Sequence, residues 1–93
     1  MTDITSVEQL AKYRGEVIKY SEDRGKTWTY GRVRDDSRPV PFQEGGVGYV
    51  INSEVSPQGV HRTLGITDKR LASGLIVQPT TDEEIKGRRF SYE

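Results

Sequence analysis

Cysteine is absent from all 93 residues. Disulfides and thiolate metal sites are therefore excluded, and the absence suits a reducing compartment. Apolar residues are scarce, at 32% of the chain, and no uninterrupted apolar run approaches the roughly 18 residues of a membrane span. A chain this short must use such residues efficiently or leave surface for a partner to cover. Met1-Thr2-Asp3-Ile4 has neither the basic region nor the apolar stretch of a signal peptide. The expectation is one soluble domain spanning residues 1–93, cytoplasmic or part of a virion, without membrane contact. Net charge is missing as well: Lys+Arg and Asp+Glu both number 14. Residues 1–46 carry eight of each sign and residues 47–93 six of each. A dedicated nucleic-acid binder ordinarily shows a basic excess, because phosphate neutralisation drives its affinity.

What is present reads as short strands separated by turns. Thr5-x-x-Glu8 and Ser6-x-x-Gln9 both fit a capping box and predict a short helix over 7–14, with Val7, Leu10 and Ala11 on one face and Gly15 ending it. Residues 16–20 and 27–33, rich in β-branched and aromatic types, predict two strands. Residues 35–46, with Pro39, Pro41 and Gly45-Gly46, predict a long irregular loop. Strands are expected at 47–52 and 60–66, joined through a type I turn at Ser56-Pro57-Gln58-Gly59. A helical turn capped by Thr67 or Asp68 follows. Leu75-Ile76-Val77 reads as a buried central strand. Thr81-Asp82-Glu83-Glu84 starts another helical turn, ended by Gly87, and Phe90 and Tyr92 alternate as in a closing edge strand. These elements predict a mainly β fold (α+β being the alternative): a small five- to six-stranded antiparallel barrel or sandwich, SH3-like or OB-like, with a short N-terminal helix.

Residues 21–28, Ser-Glu-Asp-Arg-Gly-Lys-Thr-Trp, match every defined position of Ser-x-Asp-x-Gly-x-Thr-Trp. The segment resembles the Asp box, the hairpin turn repeated on the blades of sialidases and related propellers. The resemblance implies a hairpin whose Asp bonds turn amides, whose Gly has positive φ and whose Trp packs beneath. Its single copy in a chain far too short for a propeller makes it a folding device rather than a catalytic signature.

The candidates for chemistry are few. His61, the only histidine, lacks a converging second group, so it is read as structural or surface. Asp35-Asp36 and Asp82-Glu83-Glu84 lack calcium-loop spacing and fit surface ion pairing and a helix start. Gly45-Gly46-Val47-Gly48 leads into a strand, not a helix, and no Lys-Ser/Thr follows, so it is not a phosphate loop. No metal and no cofactor is expected. Period-2 alternation puts Trp28, Tyr30, Arg32 and Arg34 on one face of the second strand. Trp28 and Tyr30 then serve as core with the arginines at its rim, or the face binds protein, where Trp, Tyr and Arg supply most hot spots, or it stacks bases and holds phosphates, with Arg88 and Arg89 extending it. The candidate binding residues are Tyr30, Arg32, Arg34, Asp35, Asp36, Arg38 and Phe42, on this strand and the loop after it.

The expected function is a non-enzymatic protein-interaction or assembly module with a protein partner or a second copy of itself. Small phage accessory proteins, as virion components or host-factor inhibitors, share this profile of size and composition. A small-barrel nucleic-acid binder is the alternative. A small hydrolase or nuclease relying on His61 and Asp35 or Asp36 comes third.

Overall fold

The computed structural model describes residues 3–35, 40–41 and 46–90, with 40–41 described by backbone alone. Six strands form one antiparallel sheet: β1 (Val17–Ser21), β2 (Thr29–Val33), β3 (Val40–Pro41), β4 (Val47–Ser53), β5 (Thr63–Thr67) and β6 (Ile76–Pro79). Across the sheet the order is β6-β1-β2-β4-β5. β3 pairs with the start of β4 beyond the end of β2, so it resumes β2 after an interruption. The sheet curls into a half-barrel, which bears out a mainly β fold with a short N-terminal helix.

The curl has one apolar face. Ile18, Tyr20, Val33, Tyr49, Ile51, Ile66 and Val77 line its concave side, and Ile4, Val7 and Leu10 fill it from the N-terminal segment. That segment carries helix α1 (Val7–Leu10), which continues as a 3-10 turn over Ala11–Tyr13. Ser6 is its cap, accepting from Gln9 N–H at 3.1 Å, while Gln9 Oε1 accepts from Thr5 N–H at 2.7 Å. Two turns would not persist alone in water. Docking makes the helix stable: Val7 N–H donates to Asp68 Oδ1 at 2.9 Å and Ile4 N–H to Val77 O at 2.7 Å. Helix α2 (Asp68–Ala72) is capped by Thr67, whose hydroxyl accepts from Arg70 N–H at 3.2 Å. Helix α3 (Asp82–Ile85) opens on a full capping box between Thr81 and Glu84. No helix among the described residues is long and apolar enough to cross a membrane.

Ladder parity fixes which backbone groups are used. Glu54 N–H donates to Tyr30 O and Arg34 N–H to Val50 O, so the even residues of β4 bond β2. Ser53 N–H donates to Arg62 O at 2.8 Å, so the odd residues bond the β5 side. By the same alternation Leu64 and Ile66 bond β4, and Thr63 and Gly65 turn their N–H and C=O outward. Gly48 faces Thr67 in this ladder, and a Cβ there would collide with the Ile66 carbonyl oxygen.

Four sequence expectations change. Leu75-Ile76-Val77 is no central strand: among the described strands β6 pairs only with β1, and Leu75 and Ile76 are only half-buried. Its apolar character comes from packing under the N-terminal segment, whose Ile4 bonds Val77. The fourth long strand begins at Thr63, leaving Val60 and His61 exposed in the connection. Within the predicted loop, Val40–Pro41 forms a two-residue strand. Phe90 makes one isolated bridge, to Glu54, rather than a strand, and Tyr92 lies outside the described residues.

Candidate functional site

The hairpin between β1 and β2 is built as the Asp-box resemblance implies. Ser21 Oγ donates to Asp23 Oδ1 at 2.7 Å and accepts from Gly25 N–H at 2.7 Å. Asp23 also accepts from Thr27 N–H at 2.9 Å and, through Oδ2, from Thr27 Oγ1 at 2.6 Å. Arg24 and Gly25 both have positive φ, 64° and 92°. A Cβ at Gly25 would stand 3.7 Å from Trp28 Cζ2, so the indole lies directly against the turn. The Thr27 hydroxyl and amide, with Ser21, hold the Asp23 carboxyl down at about 2.

The alternation on β2 is as the sequence implied, but its faces have the opposite use. Thr29, Gly31 and Val33 share the concave side with Ile18, Tyr20 and Ile51. Trp28 and Tyr30 are therefore not core. They stand half-buried on the outside of the curl with Arg32, because the apolar residues of β1 and β4 supply the core from the other side.

This outer face is occupied by the chain's own residues 81–90. Glu84 accepts from Lys19 Nζ at 2.7 Å and from the Tyr30 hydroxyl at 3.4 Å. The Arg88 guanidinium lies 3.9 Å from the centroid of the Tyr30 ring and bonds Glu54 at 2.7 Å. Arg32 donates to Gly15 O at 2.7 Å and lies 5.8 Å from the Phe90 ring centroid. Lys19 covers Trp28 at 5.2 Å. The Lys19 ammonium, helped by Thr81 N–H, holds the Glu84 carboxyl below the usual carboxylate range. The segment is a strap, anchored at each end by charge-assisted bonds.

Of the sequence candidates, Tyr30 and Arg32 are brought together under this strap. Arg34 is half-buried at the end of β2, and Asp35 is exposed where β2 ends, near Gly15. Asp36, Arg38 and Phe42 lie outside the described residues. His61 is exposed, and no group of three or more potential metal ligands converges among the described residues.

A second place was not singled out by the sequence. At the end of the half-barrel beside the hairpin, Tyr20, Glu22, Thr29, Ser53, Arg62, Thr63 and Leu64 line an open cavity of about 420 Å³. Burial pushes the Tyr20 phenol up, and the Glu22 carboxylate adds to that shift, while Arg62 and the Thr29 hydroxyl oppose it. Glu22 stands at an undefined position of the Asp-box pattern and Arg62 in a connection, so only the strand register joins them. The outward groups of Thr63 and Gly65 begin at the rim of this cavity. Comparison with known proteins adds no relative: no family model, curated protein or solved structure matches the chain.

Proposed function

We propose that this protein is a non-enzymatic interaction module that receives an extended segment of a partner protein along the open edge of β5. The observation that supports this reading is the outward orientation of Thr63 and Gly65, whose main-chain groups find no partner among the described residues. Sheet edges are usually blunted by proline, charge or a covering element. Thr63-Leu64-Gly65-Ile66-Thr67 contains no proline and no charged residue. Added strands gain affinity from main-chain bonds and specificity from adjoining pockets, and the cavity at Arg62 and Thr63 adjoins this edge. Zero net charge also suits a protein partner better than phosphate. A role as a phage accessory protein, in a virion or against a host factor, is the biological setting this profile fits. Nucleic-acid binding through Tyr30 and Arg32 would require residues 81–90 to leave first.

Thr63→Pro tests the reading. Proline is tolerated at the first residue of an edge strand, and here it removes an outward N–H and the Thr63 hydroxyl while leaving the β4–β5 ladder bonds in place. Wild-type and Thr63→Pro protein with equal circular dichroism spectra are used as bait in lysate of the native host. The expected result is a protein retained by wild type and lost from the variant. Equal retention by both would contradict the reading. So would a strict monomer by light scattering that retains nothing.

A further inference from the structure

The cavity beside β5 has chemistry of its own. Tyr20, Thr29, Ser53 and Leu64 all come from the concave face, since Tyr20 opposes Thr29, Ser53 opposes Gly31 and Leu64 opposes Ile51. They make a floor of three hydroxyls and one aliphatic side chain. Glu22 stands on the β1 side, and Arg62 and Thr63 on the β5 side. Glu22 and Arg62 both line this one cavity, and the Tyr20 phenol on its floor feels both charges, in opposite directions. Yet among the described residues they form no ion pair with each other and no side-chain bond elsewhere. An anion and a cation kept apart across a hydroxyl-lined space are the complement of a molecule with both charges. The volume, about 420 Å³, falls within the range of small-molecule sites.

We propose that this cavity binds a short peptide-like zwitterion, with its ammonium group at Glu22 and its carboxylate on the Arg62 guanidinium. A guanidinium offers a carboxylate two parallel donors, and a carboxylate accepts several bonds from one ammonium group. The Thr29, Ser53 and Thr63 hydroxyls meet the polar atoms between the two ends, and Leu64 meets the carbon skeleton. A ligand with a single charge would leave the other rim group unanswered. The cavity adjoins the edge of β5, but binding of a small zwitterion in it needs no partner strand, so either proposal can fail alone.

Glycine, diglycine and triglycine serve as a ruler, since their charge separation grows by about 3.5 Å per residue. Each is titrated into 15N-labelled protein and followed by NMR. Saturable shifts are expected at the amides of Tyr20, Thr29, Ser53 and Thr63, with one length binding tightest. Glu22→Gln and Arg62→Gln should each weaken that probe about tenfold, the loss of one charge-assisted contact. Acetylating its amine or amidating its carboxylate should cost the same. Both residues are exposed, so the variants keep the fold, which their amide spectra report directly. The proposal is overturned if no probe gives saturable shifts or if blocked probes bind as well as free ones. It is equally overturned if only one of the two variants weakens binding, which would make the cavity a site for a single charge.

Discussion

Asp23 closes its turn with three side-chain contacts, and their sum is visible in its acidity. The carboxyl falls from 3.8 to about 2, so the folded state favours the charged form. The stabilisation from that preference is complete above pH 3.8 and drains away as pH falls toward 2. Asp23→Asn should therefore flatten the acid limb of the stability curve between pH 4 and 2, measured by urea unfolding at a series of pH values. Glu84 has the same sign, because its pKa is also lowered by contacts made only in the fold, so the wild-type protein loses stability from both on acidification. Gly48 makes a different single-residue claim. A methyl group there meets the Ile66 carbonyl, a backbone atom that cannot step aside without breaking the β4–β5 ladder. Gly48→Ala should cost at least roughly 1–3 kcal/mol, the usual range for overpacking, and should lower the urea midpoint.

Among the elements, α1 and the strap depend on docking for opposite faces of the sheet. Leu10 is completely buried against the concave side. Leu10→Ala should cost about 2–5 kcal/mol, read as a fall in thermal midpoint, because the helix has too few turns to survive unpacked. The strap relies on partly exposed charges, so Glu84→Ala should cost only about 1 kcal/mol, counting cap and ion pair. Its clearer signature is local: faster amide exchange at Val55, whose N–H bonds Arg89 O, and altered Trp28 emission as Lys19 loses its partner. Legibility in the sequence followed the range of the interactions. The hairpin turn was readable because its bonds span four residues or fewer. The caps at Ser6, Thr67 and Thr81 were readable for the same reason. Which side of β2 is core was not, because Trp28-Tyr30-Arg32 looks as apolar from the sequence as Thr29-Gly31-Val33. The choice is made by Ile18 and Ile51 across the ladders. The strap was hidden likewise: Thr81-x-x-Glu84 marks a helix start, but nothing local says that Glu84 will meet Lys19, 65 positions away. The apolar run at 75–77 misled because a strand under a covering segment looks like a strand between two others.

For the molecule as a whole, the curl stops at half a barrel, and its two margins are treated differently. On the β6 side the N-terminal segment lies alongside, with Ile4 bonded to Val77. On the β5 side the outward groups of Thr63 and Gly65 have no partner among the described residues. The outer face of β2, the surface the sequence pointed to, is already taken by residues 81–90. The β5 margin and the cavity beside it are therefore the surfaces on which the two proposals rest. Hydrogen exchange at single amides tests the β5 margin most directly. In the free protein at low concentration, Leu64 and Ile66 should be protected, and Thr63 and Gly65 should exchange fast. In complex with the protein captured by the wild-type bait, Thr63 and Gly65 should become protected as well. If those two amides are already protected in the free protein, or stay unprotected in the complex, the edge of β5 is not the surface that binds.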